Sequence, residues 1–232
     1  MQRLKKIFLL LVVVVLYSIV TGAQAKEPSD AALQAQIKSI QLACQKCSNL
    51  HDITCVKDKI TGYYNLDQYL RNKYKLSITD PNIAAIIKQV DISNTDNLKD
   101  ILQIHGWPII SKFGKNTDHE AWMLVQHADH DPHFQASIAF MLEQLVAIGE
   151  TDQKNFAYLY DRVAVGLNHI GIKQKYGTQS MLDNNTIKLT PFVGTIQELD
   201  SRRQAIGLPP IQEYLAQLRE FYQLEVAPIA PK

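Results

Sequence analysis

Apolar residues recur every three to four positions along most of this chain, the spacing of a single helix face. Leu33, Ile37, Ile40 and Cys44 form the first such stripe, behind a cap at Ser29 or Asp30. Ile60, Tyr63, Leu66, Tyr69 and Leu70 form a second, weaker one. Asp80-Pro81 opens a third, with cap and first-position proline in their usual order, running through Ile83, Ile86, Ile87 and Val90. Asn94 or Thr95 starts the next, with Leu98, Ile101 and Leu102 inward, and Gly106 followed by Trp107-Pro108 stops it. The helical pattern resumes at Thr117 or Asp118 with Ala121, Trp122, Leu124 and Val125. It breaks in the run Gln126 to Phe134, returns with Ile138, Met141, Leu142 and Leu145 as far as Gly149, and returns again behind Asp152 with Phe156, Leu159, Tyr160 and Val163.

The period then changes. Tyr176 to Leu182 and Thr186 to Phe192 are short β-capable runs either side of Asp183-Asn184-Asn185, which predicts a hairpin. A last helix follows Pro209-Pro210, with Ile211, Tyr214, Leu215, Leu218 and Phe221 inward. The expected fold is mainly α: a bundle-like helical domain with a short β-hairpin near the C-terminal third. No internal repeat or low-complexity segment interrupts it.

The N-terminus reads differently. Arg3, Lys5 and Lys6 precede an unbroken apolar run, Ile7 to Leu16, that weakens toward Val20, and Ala23-Gln24-Ala25 fits a small-x-small cleavage site. This is the pattern of a secretory signal peptide, and its apolar core of about 14 residues is short of the roughly 20 that span a bilayer. The chain therefore divides into a signal peptide (1–25), a cysteine-bearing helical region (26–90), a helical domain with the hairpin (91–225) and a flexible tail (226–232). An exported protein, periplasmic or secreted, is expected, with no stable membrane span once the leader is removed. Loss of three basic residues takes the net charge from +1 to about −2. No Lys/Arg block remains, which argues against a nucleic-acid partner, since binding one needs charge that neutralises phosphates.

Cys44, Cys47 and Cys55, with His51 before the last, admit three states. One disulfide with a leftover thiol suits an oxidising compartment, and Cys55 with either partner suits it better than a Cys44–Cys47 bond across one helical turn. The spacing C-x2-C-x3-H-x3-C also has the ligand set of a structural zinc site, which export disfavours. Free or mixed thiols are the third.

The densest chemistry is Q-H-A-D-H-D-P-H-F at Gln126 to Phe134. His127, His130 and His133 would share a face of one continuous helix, but Pro132 has no N–H and pushes Asp131 out of the α region. The run is therefore helix, break, helix, with Asp131 the cap of the second and Pro132 its first residue. His130 and His133 become turn or surface residues. His127 and Asp129 remain, at a corner that aims both at a shared site. Other groups that could converge there are His105, Trp107, Gln126, the pair Asp161-Arg162, Tyr176 and Gln179. The familiar signatures of nucleophile elbows, zincins, phosphate loops and dinucleotide folds do not occur.

Several blocks occur in a fixed order: H-G-W-P at His105 to Pro108, A-W-M-L-V-Q-H-A-D-H-D-P-H-F-Q at Ala121 to Gln135, A-Y-L-Y-D-R-V at Ala157 to Val163, Y-G-T-Q at Tyr176 to Gln179, and R-R-Q-A-I-G-L-P-P-I-Q-E-Y-L at Arg202 to Leu215. Together they resemble a bacterial family known only as a domain of unknown function, over about Asp91 to Tyr222. The resemblance implies that these blocks share one domain. It supplies no reaction, so it assigns no catalytic role. Ala164 to Lys175 is longer than the matching family loop and lacks its proline.

Two functional readings follow. In the first, an exported helical domain binds a small ligand or a partner protein through a polar pocket built from His105, Trp107, Gln126, Tyr176 and Gln179. In the second, His127 is the general base of a hydrolase or other acid/base enzyme, positioned by Asp129 or Asp161, with Arg162 stabilising negative charge. A metal-assisted form of the second would use His105, His127 and Asp129. The pattern assigns no cofactor and no dedicated metal ligand.

Overall fold

The computed structural model describes residues 14–15, 37–38, 48–74, 80–167 and 171–229. Most of the expected signal peptide, its cleavage site, most of the Leu33 to Cys44 stripe and the last three residues of the tail lie outside this range.

Among the described residues the expected helices form where their caps allow, apart from a separate helix at Asn94 or Thr95. Helix α1 (Ile53–Lys73) starts at Asp52, whose carboxylate accepts from Thr54 N. Helix α2 (Pro81–His105) starts at Asp80, which accepts from Asn82 N and Ile83 N. The start expected at Asn94 or Thr95 does not occur, and α2 runs through both residues. Their side chains satisfy themselves elsewhere: Asn94 Nδ2 donates to Tyr63 O and Thr95 Oγ1 to Asp91 O one turn back. The boundary expected near Asp91 thus falls inside a continuous helix.

Short α3 (Ile110–Phe113) and α4 (Lys115–Gln126) follow Gly106 and Gly114, both at positive φ. Helix α5 (Pro132–Ala147) opens on Asp131, which accepts from Phe134 N, so the break in the His/Asp run is real. Helix α6 is Gln153–Gly166. Helix α7 (Ile196–Ala205) has no apolar stripe to announce it and is held at its start by a reciprocal Thr195/Glu198 capping box. Helix α8 (Ile211–Tyr222) is the last.

The small sheet has the order β1-β2-β3-β4. Strands β2 (Ser180–Asp183) and β3 (Thr186–Leu189) form the expected hairpin, with Asn184 and Asn185 at φ 48° and 60° in the turn. Asparagine tolerates that conformation and type I′ turns require it. Strand β4 (Glu225–Val226) lies parallel to β3, and Val14–Val15 of the expected leader lies parallel to β2 as β1.

One core joins α1, α2, α4, α5 and α6 through residues such as Ile60, Leu98, Trp122, Val125, Leu142 and Leu159. A second packs the hairpin under α7 and α8 through Ile187, Leu199, Ile211, Tyr214 and Leu218. Cys55 is disulfide-bonded, which selects the bridge over the zinc site for that residue; its partner lies outside the described residues. Among the described residues no helix is long and apolar enough to cross a membrane.

Candidate functional site

Helix α1 carries two charges on its buried stripe. Asp67 and Arg71 are one turn apart, 0% and 5% exposed, and paired with each other. Arg71 Nη2 also donates to both oxygens of Asp91 on α2, at 3.1 and 2.9 Å. Asp67 Oδ2 accepts from Gln68 Nε2 at 2.7 Å, and Asp67 Oδ1 meets His127 Nδ1 at 2.7 Å. His127 is the C-cap of α4, 2% exposed, and the end of that helix drives its ring into the α1–α2 seam.

The electrostatics follow from this wiring. Burial pushes the Asp67 carboxyl up, but Arg71 and His127 outweigh it and hold the group below the usual carboxylate range. Burial is also the largest influence on Asp91, and there it prevails: Arg71 offsets it only in part, Asp67 repels, and the pKa is raised. The two carboxyls share one guanidinium, and Asp67 wins because it has Gln68 and His127 as well. An ionised Asp67 can only accept, so Nδ1 of His127 carries the proton. The other ring nitrogen, Nε2, is buried with no hydrogen-bond partner.

A second ion pair lies beside the first. Arg162 on α6, 2% exposed, grips Asp129 with two nitrogens, Nε to Oδ1 at 2.7 Å and Nη2 to Oδ2. Its Nη1 donates to Gln179 Oε1 at 3.2 Å. Gln135 Nε2 donates to Asp129 Oδ1 and to the carbonyls of Val125 and Gln126, fixing the corner between α4 and α5. Burial raises the Asp129 pKa, Arg162 lowers it more, and the result is a depressed value. Tyr222 of α8 feels both arginines: burial pushes its hydroxyl up to about 12, while Arg71 and Arg162 pull it down.

His127, Asp129, Arg162 and Gln179 thus gather around one polar seam. Gln126 is buried with Oε1 unpartnered. The remaining candidates are placed otherwise. Asp161 accepts from Lys175 N, Tyr176 N, Thr178 N and Thr178 Oγ1, a clamp on the start of Y-G-T-Q. Tyr176 enters that clamp through its N–H and gives its carbonyl to Arg203. His105 Nε2 meets Leu50 O at 2.5 Å and its ring packs edge-on to Phe113. Trp107 Nε1 donates to Asp118 Oδ1 at 2.7 Å. Asp118 also takes Thr151 Oγ1 and Asn155 Nδ2.

Asp67, Arg71 and Asp91 are not among the residues singled out by the sequence. A signal for them existed: each sits in helical register with apolar neighbours that turn inward, Tyr63 and Leu70 on α1 and Ile87 and Val90 on α2. A charge on an apolar stripe has to find a buried partner. Asp67, Asp91 and His127 also each offer one atom, all within 4.8 Å of one another, a donor group able to hold a metal ion.

Two cavities stand out among the described residues, and neither is lined by this seam. One is an open apolar groove of about 240 Å³ between α5 and α6, bordered by Phe140, Tyr160, Val163 and Ile172. The other, about 140 Å³, lies between α1 and α2 beside Ser48, Lys59, Asn97 and Asp100. No curated protein and no solved structure matches the chain. The sequence blocks that build the seam and the clamp lie within a stretch, residues 56–227, that matches the family of unknown function DUF6624. That stretch begins at Val56, so it takes in Asp67, Arg71 and Asp91 as well as the region from Asp91 onward; the chain belongs to the DUF6624 family.

Proposed function

We propose that this protein binds a small polar ligand at the His127 seam, with His127 reading one side of it and the Arg162–Gln179 edge the other. A single observation carries this: His127 Nε2 is buried and unpartnered although Asp67, Arg71 and Asp91 are spent on orienting the ring. Leaving a buried polar atom unmade costs roughly 1–3 kcal/mol, so a purely structural network would close it. A small ligand fits better than a partner protein because His127 is 2% exposed, out of reach of a docking surface. Asp129, whose side chain is half exposed, stands where the seam meets solvent. An oxidising, exported setting is supported by the leader pattern and by the disulfide at Cys55.

The acid/base reading is second, and the Asp67–His127 contact favours it. A carboxylate on Nδ1 fixes tautomer and orientation and leaves Nε2 to take a proton. The positioning group in that scheme is Asp67.

Native mass spectrometry of protein taken from the cells that make it tests the binding reading. A co-purifying small molecule should appear on the wild type and be lost from Arg162→Lys and His127→Gln, with both variants still folded by circular dichroism. Wild-type protein that carries nothing, together with a His127→Gln variant that is more stable than wild type, would sink it.

A further inference from the structure

The apolar groove on α5 and α6 is separate from the His127 seam and does not depend on how the seam is read. Helix α6 returns antiparallel along α5 after the short loop 148–152, and the outward faces of the two helices enclose the groove. Ala136, Phe140 and Glu143 on α5 and Phe156, Tyr160 and Val163 on α6 line it at helical spacing. Its alanines leave a hollow, and beside them the Phe140 ring is 69% exposed. Met141 and Ile148 continue the exposed apolar surface toward the end of α5. Single exposed apolar residues are ordinary, but a contiguous patch of them marks a contact surface. The Leu33 to Cys44 stripe does not supply the cover, since its Ile37 is buried with Leu66, Leu70 and Ile86 of α1 and α2.

We infer that this face binds a second copy of the chain, α5 against α5 about a two-fold axis near Phe140. A two-fold contact uses one patch that is complementary to itself, and a projecting ring next to a hollow on the same face meets that need. Phe140 is at the middle of α5, so antiparallel copies paired there overlap along the whole helix and oppose their dipoles. The charges agree with this geometry. Glu143 is the one charged residue lining the groove, and it lies one turn beyond Phe140 toward the C-terminal end of α5. At the other end of the groove are Leu167 and Ile172, and Lys173 beside them is exposed. The two-fold axis brings Glu143 of each copy toward the Lys173 end of the other and keeps the two glutamates apart. Neither Glu143 nor Lys173 has an ion-pair partner among the described residues.

Sedimentation velocity on protein taken from the cells that make it, run at rising concentration, should show double the chain mass. Phe140→Glu places a charge at the centre of the contact and should weaken the dimer about tenfold or more. The side chain it replaces is exposed, so the fold should be unaffected, which circular dichroism checks. Val193→Glu, an equally conservative change at an exposed apolar residue outside the groove, should leave the mass unchanged. Glu143→Lys and Lys173→Glu should each weaken the dimer about fivefold, and the two together should recover it. That recovery fixes the antiparallel arrangement, which loss of apolar area alone cannot do. A wild type that stays monomeric at every concentration overturns the inference, and so does a dimer that survives Phe140→Glu. A monomer whose groove takes up a fluorescent fatty-acid analogue would give the groove to an apolar small molecule and overturn it as well. Every one of these results is independent of whether the His127 seam holds a ligand.

Discussion

Asp161 and Asp67 are both wholly buried carboxylates, 0% exposed each, and they are wired in opposite ways. Asp161 is met by uncharged donors: three backbone N–H groups and one hydroxyl between Lys175 and Thr178. The carbonyls behind those donors are met in turn, Tyr176 O by Arg203 and Thr178 O by the Tyr214 hydroxyl. Asp67 is met by charged and titratable side chains, and the chain of contacts through His127 ends on an atom with no partner. The closed arrangement holds a loop in place, and the open one presents a valence. Burial pushes Asp161 up to about 6 because neutral donors offset it only in part. The guanidinium of Arg71 is what keeps Asp67 ionised despite the same burial.

The largest effect that would break this contrast is Asp67→Ala. It strands the buried Arg71 guanidinium with only Asp91 and frees the His127 ring. Removing one partner of a buried pair costs about 3–5 kcal/mol, read as a drop in the urea midpoint. A loss near zero would show that the seam is solvated and that its wiring orients nothing.

Next comes pH, which separates the two carboxylates by sign. Asp161 binds its proton more tightly in the folded chain, near 6, than an ordinary carboxyl does at 3.8. Its favourable contribution is therefore complete below 3.8 and lost as pH rises through about 6. The shift corresponds to about 3 kcal/mol. Asp67 and Asp129, with depressed values, contribute stability that is lost only on acidification below the ordinary carboxyl range. His119, lowered by burial, opposes Asp161 on acidification. The difference in stability between wild type and Asp161→Asn, measured at pH 7.5 and pH 5, isolates the Asp161 part, and it should shift toward the wild type at the lower pH. A difference independent of pH would mean that Asp161 stays ionised throughout.

The same variant supplies a smaller prediction at neutral pH. Asp161→Asn removes a costly charge but sets an amide NH₂ against backbone N–H donors, a net loss of about 2 kcal/mol in urea unfolding. It should leave the His127 seam unchanged, so an Asp161→Asn protein that loses a ligand held by the wild type would erase the distinction between clamp and site.

Most of the fold was legible because apolar spacing and caps act locally. Pro132 broke the His/Asp run where its missing N–H required, and Asp183-Asn184-Asn185 turned the hairpin. Helix α7 was not legible from periodicity, since it is polar nearly all round, although Thr195-x-x-Glu198 announced its start. Asn94 and Thr95 look like caps, and only the three-dimensional partner of Asn94, the Tyr63 carbonyl, explains their place inside α2. The seam was half legible. His127, Asp129 and Arg162 stood out by density and adjacency, whereas Asp67, Arg71 and Asp91 are spread over 25 residues and meet only through the packing of α1 on α2. His105 and Trp107 share a conspicuous block with each other but take partners on Leu50 and Asp118, which no local pattern names.

The smallest effect draws the edge of the site most finely. Asp131 is two residues from Asp129, yet its carboxylate caps α5 through Phe134 N and pairs with Lys99 at 2.7 Å. The Lys99 hydrogen bond, then the Phe134 N–H, hold its pKa below the usual range. Both members of the Asp131–Lys99 pair are partly exposed, 29% and 39%, so the pair adds little in water. Asp131→Ala should therefore cost about 1 kcal/mol, the value of a lost N-cap. Asp131→Asn, which keeps an oxygen for Phe134 N, should recover most of it. Neither should alter ligand binding, because the grip of Arg162 on Asp129 does not pass through the cap. If Asp131→Ala weakens binding as much as Asp129→Ala does, the corner works as one unit, and the site extends over the whole run from Gln126 to Phe134.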